Sequence, residues 1–77
     1  MDNNTIGNVI LRERQAKKLS QEIVSSFADI GRTHLSAIER GERIPTLKTF
    51  IKLADALELA PSVLMAKIEE EMAKNES

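Results

Sequence analysis

The chain has 77 residues, no cysteine and a formal net charge of −1. That length suits one small domain held by packing, and the missing cysteines exclude a disulfide framework or a thiolate metal site. The charge excludes a polycation, no apolar run approaches the roughly 20 residues of a membrane span, and no signal-peptide pattern opens the chain, so a cytoplasmic location is expected.

Strand patterns are scarce and helical ones recur, which points to an all-α fold. The first predicted helix runs from about Thr5 to Lys18, with Ile6, Val9 and Ile10 at helical spacing and Thr5 as its cap. Ser20 precedes Gln21 and Glu22; its hydroxyl can accept from the free amides of a second, short helix that ends near Ala28. Asp29, a residue type that tolerates the left-handed region, can close that helix. The third helix covers roughly Arg32 to Arg40, with Leu35 and Ile38 turned inward and Gly41 placed to stop it. "GERIP" reads as a loop, because Pro45 disfavours helix at Ile44. Thr46 caps a fourth helix whose buried stripe is expected to be Leu47, Phe50, Leu53, Ala54 and Leu57. Pro61 suits the first turn of a fifth helix reaching about Lys74.

Two short helices joined by a tight turn suggest a helix-turn-helix, which holds its second helix stiffly outward for a DNA major groove. Arg32, Thr33 and His34 then stand at the start of the presented helix. Charge is arranged in keeping with this. Residues 1–45 carry seven Lys/Arg against six Asp/Glu, with Arg32, Arg40 and Arg43 close together, while residues 46–77 carry four against six. The run Glu69-Glu70-Glu71 reads as a solvated helix face.

The stretch "LSQEIVSSFADIGRTHLSAIERGERIPTL" resembles, without a gap from Leu19 to Gly41, the helix-turn-helix of the Cro/C1-type (XRE) repressors. Ser20-Gln21-Glu22, Arg32-Thr33, Leu35-Ser36, Ile38-Glu39-Arg40-Gly41, Arg43 and Pro45 carry the likeness, which extends over roughly residues 6–65. It implies a compact five-helix, lambda-repressor-like DNA-binding domain spanning 1–77. The short form with an Arg-Thr start is similar to the controller proteins of restriction–modification systems, homodimeric regulators that often carry Tyr where this chain has His34. Several positions depart from the pattern: Lys18 and Asp29 replace glycines, Gly31 replaces a polar cap, and Ile23 and Phe27 stand where polar residues are usual.

Roles follow for individual residues. Arg32 at the first turn can donate two parallel bonds to guanine O6 and N7, the alternative being a phosphate. Thr33 offers a methyl and a hydroxyl, and His34 can donate to a phosphate or a base edge. Ala37 suits a thymine methyl or serves as clearance. Gln21 is expected to grip a phosphate together with the free amides of its helix, and Ser36, Arg40 and Arg43 to bind phosphates. The resemblance implies a partly buried ion pair between Arg14 and Glu39 that fixes the docking of the third helix. On the fifth helix, Met65, Ile68 and Met72, spaced i, i+3 and i+7, are expected to face a second subunit; the alternative is that they cap the core.

The expected function is sequence-specific binding of double-stranded DNA as a homodimer on a pseudo-palindromic operator, with no membrane partner, cofactor, metal or small-molecule ligand. A protein-interaction module, an antitoxin or anti-repressor using the helix-turn-helix as scaffold, is the competing class, favoured by Ile23 and Phe27. An enzyme is not expected: the chain has one His, no Cys and no phosphate-cradling glycine loop. Single-stranded nucleic acid is disfavoured for want of aromatic stacking platforms.

Overall fold

In the computed structural model, which describes residues 3–76, the chain forms helices α1 (Asn3–Ala16), α2 (Gln21–Phe27), α3 (Arg32–Glu39), α4 (Leu47–Ala56) and α5 (Pro61–Glu76), with no strand among the described residues. The expected all-α, five-helix order is therefore what the chain adopts. Val9, Ile10, Val24, Leu35, Ile38, Leu53, Leu57 and Leu64 are fully buried and meet in one core to which every helix contributes.

Helix starts follow the residues that can satisfy free amides. Ser20 caps α2 by accepting from the Ile23 amide at 3.1 Å, and Thr46 caps α4 by accepting from Thr49 at 3.1 Å. Thr5 is not a cap. The helix already includes Asn3 and Asn4, and the buried Thr5 hydroxyl instead accepts from Asn75 Nδ2 at 3.0 Å, tying the start of α1 to the end of α5.

Four helices end in one motif. Residues 18, 29, 41 and 58 have φ of 57°, 59°, 78° and 60°. After each, the next amide bonds back across the last turn: Leu19 to Arg14, Ile30 to Ser25, Glu42 to Ala37 and Leu59 to Ala54, at 2.9–3.2 Å. This is the Schellman closure, which satisfies carbonyls that the helix end leaves free. Leu19, Ile30 and Leu59 then pack against the core, as the motif's apolar partner usually does. The residue in that place after α3 is Glu42.

Glycine is required at two points around α3. A Cβ on Gly7 would lie 2.3 Å from the Ile38 carbonyl oxygen and 2.7 Å from that of Glu39, so the end of α3 rests in a notch in α1. A Cβ on Gly41 would meet the Asn4 side chain at 2.0 Å, besides its left-handed backbone. The presented helix is thus seated on α1 by backbone contact, not by side chains alone.

Candidate nucleic-acid interface

The exposed side of α3 is built by default: Leu35, Ile38 and Glu39 turn inward, leaving Arg32, Thr33, Ser36 and Arg40 outward. Arg32 and Thr33 are exposed and His34 is half-buried. Gly31 caps the helix through its backbone conformation, and no side chain covers the first-turn amides. Among the described residues, the guanidinium groups of Arg32 and of Arg43, in the loop beyond α3, take part in no hydrogen bond or ion pair. Two exposed guanidinium groups, one at the start of α3 and one in the loop after it, suit an anionic partner.

Behind this face lies a polar joint. Arg14 donates from Nε to Glu39 Oε2 at 2.7 Å, from Nη2 to Glu39 Oε1 at 3.1 Å, and from Nη1 to the Leu19 carbonyl at 2.8 Å. The side chains of Arg14 and Glu39 are 12% and 3% exposed. Gln21 Nε2 also donates to Glu39 Oε1, at 2.8 Å. One carboxylate therefore joins α1, α2 and α3 at a fixed angle. The Gln21 amide, expected at a phosphate, thus spends one donor on the buried Glu39 carboxylate.

For Ala37, the burial favours clearance over contact with a thymine methyl. The residue is 8% exposed, so its methyl offers little surface to a groove. Arg40 is not a free cation. It grips Glu42 through Nε at 2.8 Å and Nη2 at 3.1 Å, while Nη1 donates to Ser36 Oγ. The hydrogen bonds from Arg40, and then its charge, hold the Glu42 carboxyl below the usual carboxylate range.

A second surface lies on α4 and α5. Ile68 is 1% exposed and belongs to the core, because its spacing from Leu64 keeps both on the inner side of α5; it is not available to a second subunit. Met72 is half-buried and packs on the core. Of the three expected residues only Met65 is exposed. It borders an apolar groove with Ile44, Pro45, Leu47, Phe50 and Ile51. Leu47, expected in the buried stripe, is 74% exposed. Leu47 and Ile51, four apart on α4, form a second stripe beside the buried one, and Ile44 in the preceding loop joins them at the groove. On α2, Ile23 and Phe27 are also largely exposed.

Comparisons with known proteins agree with this geometry. The helix-turn-helix family model matches residues 10–64. An uncharacterized HTH-type transcriptional regulator of Sinorhizobium fredii is 35% identical over 65 residues, 84% of each chain. The crystal structure of a restriction–modification controller protein from Aeromonas hydrophila is similar with a TM-score of 0.78 and 35% identity, over 82% of this chain and 96% of that one. A second controller protein, C.Esp1396I, solved as a tetramer with its natural 35 base-pair operator, is similar with a TM-score of 0.84 and 27% identity, over 92% and 93% of the two chains.

Proposed function

The chain belongs to the Cro/C1-type helix-turn-helix family, and from that membership we propose that it is a cytoplasmic, sequence-specific double-stranded DNA-binding transcriptional regulator that acts as a homodimer. The observation that carries the proposal is the Arg32-Thr33-His34 start of α3, with Arg32 and Thr33 exposed and His34 half-buried, and with the exposed Arg43 beyond its end. In the mechanism proposed, α3 enters the major groove by its N-terminus. Arg32 donates two bonds to one guanine, Thr33 and His34 meet neighbouring base edges or phosphates, and Arg43 neutralises a phosphate. The Arg14–Glu39–Gln21 joint keeps the helix from rocking as those bonds form.

One such module makes few base contacts, so two are needed for useful affinity. The apolar groove of Ile44, Leu47, Ile51 and Met65 supports a two-fold interface, since a contiguous apolar patch on a small chain favours a partner that removes it from water. Two subunits so related would read half-sites about one helical turn, roughly 34 Å, apart. Similarity to controller proteins further supports control of a restriction–modification locus as the regulatory role.

Selection of bound duplexes from a random pool tests the proposal. A pseudo-palindromic pair of half-sites is the expected product, and a pool that enriches nothing would overturn it. The exposed Ile23–Phe27 pair favours a second reading, a protein-binding module that uses the helix-turn-helix as scaffold; absence of a gel shift on every duplex at moderate salt would select it.

A further inference from the structure

We propose that Glu42 is a specificity-determining residue, a built-in counter-anion that keeps Arg40 from gripping DNA phosphates indiscriminately. The proposal rests on the DNA-binding role proposed above, and it departs from the expectation that Ser36 and Arg40 simply bind phosphate.

The first support is the pairing geometry. The Glu42 carboxylate takes two nearly parallel bonds from Arg40, at 2.8 and 3.1 Å, the fork that a phosphate would otherwise take. The remaining nitrogen, Nη1, is engaged by Ser36. Arg40 thus has an internal partner at each nitrogen, whereas the guanidinium groups of Arg32 and Arg43 have none among the described residues. Of the three arginines clustered on this part of the chain, one is neutralised and two are not.

The second support is how the anion is held. Three helix ends in this chain place an apolar residue, Leu19, Ile30 or Leu59, after the left-handed position, and it packs on the core. After α3 the same position is Glu42. Its amide is fixed to the Ala37 carbonyl at 2.9 Å and Gly41 turns the chain at φ 78°. The closure therefore folds the carboxylate back along the last turn of α3. Packing does not hold it there, because the Glu42 side chain is 59% exposed. Its location is explained by the turn and by Arg40 alone.

The third support is position along the helix. Arg40 lies eight residues beyond Arg32, about 12 Å along the axis at 1.5 Å per residue. A helix that reads bases with its first turn presents Arg40 at the far end. In a loosely oriented complex with any duplex, every exposed cation near the face adds phosphate affinity, since phosphate neutralisation supplies nearly all non-specific binding. In an oriented, matched complex, only cations whose geometry reaches a phosphate contribute. Masking Arg40 thus weakens wrong complexes more than the right one. An exposed ion pair is weak enough not to distort the fold, yet its two bonds must break before Arg40 can serve a phosphate.

The test is the variant Glu42→Gln, in the full chain, with a duplex enriched from a random pool and a scrambled duplex of equal length, across a salt series. The scrambled duplex should bind about three- to tenfold tighter than with wild type, and its log–log salt dependence should steepen by about one unit per subunit. Affinity for the enriched duplex should rise less, so the specificity ratio falls. In an Arg40→Gln background, Glu42→Gln should change nothing beyond a small uniform gain. An equal gain on both duplexes, a full gain without Arg40, or no gain overturns the proposal while leaving the DNA-binding role intact. A wild-type chain that binds no duplex overturns both.

Discussion

At the residue scale, reading and holding are divided between side chains that differ in burial. Arg32 is outward and uncommitted, so Arg32→Ala should lose about 1–3 kcal/mol on the preferred duplex and relax one base pair per half-site. Arg43→Ala should weaken all duplexes alike and flatten the salt dependence by about 0.9 per phosphate lost. Competition titrations with matched and scrambled duplexes separate the two outcomes. Arg14 and Glu39 are inward. Arg14→Ala strands a carboxylate whose side chain is 3% exposed and frees the Leu19 carbonyl. A loss of roughly 3 kcal/mol is expected, toward the low end for a broken buried pair because the Gln21 amide remains on Glu39. Urea unfolding measures it. A variant with unchanged stability would mean that the joint does not hold α3. The two residues of this pair lie 25 apart in sequence, so only the family resemblance, not local spacing, made their meeting legible. Gln21 was legible as a polar residue at a helix start. That it turns inward was not, because the direction of its amide depends on where Glu39 arrives from another helix.

At the element scale, the helix order and most ends could be read from capping and stopping residues. Ser20, Asp29, Gly41, Thr46 and Pro61 each lie at a boundary in the structure. Those are local effects, settled within a turn of chain, and the sequence states them directly. Thr5 misled because α1 begins at Asn3, so Thr5 lies inside the helix, where its backbone cannot take the extended conformation of a cap. Leu47 misled for a different reason: a single apolar stripe was assumed for α4, whereas Leu47 and Ile51 form a second, outward one. The notch at Gly7 left no trace beyond an isolated glycine inside a helix pattern, a feature that usually has a packing cause. Gly7→Ala should therefore do more than cap a helix better. Its methyl would press on two backbone carbonyls at 2.3 and 2.7 Å, so α3 must shift. A stability loss of about 1–3 kcal/mol is expected, despite the higher helix propensity of alanine. Affinity for the preferred duplex should fall more than affinity for a scrambled one. Calorimetry and paired binding curves check both halves.

At the scale of the whole molecule, burial decides which apolar residues are available to a partner. Leu47→Glu should leave the melting temperature nearly unchanged and convert dimers to monomers in sedimentation at tens of micromolar (about the range of a weak dimer). Ile68→Glu should unfold the chain instead, since it puts a charge at a core position that is 1% exposed. If Leu47→Glu sediments as wild type does, the groove is not the dimer contact. The four helix closures carry a different consequence, for persistence. Three of them hold a residue with a Cβ, Lys18, Asp29 and Glu58, in a conformation that costs most side chains about 1–2 kcal/mol. Lys18→Gly and Glu58→Gly should each raise stability by up to about 1 kcal/mol, once the greater unfolded freedom of glycine is subtracted, and Asp29→Gly by less. Thermal melts would rank them. Changes of that size alter the fraction of unfolded chain available to proteases several-fold. The abundance of this regulator is thus adjustable at two turns, those of Lys18 and Glu58, that lie outside α3 and outside the lining of the apolar groove.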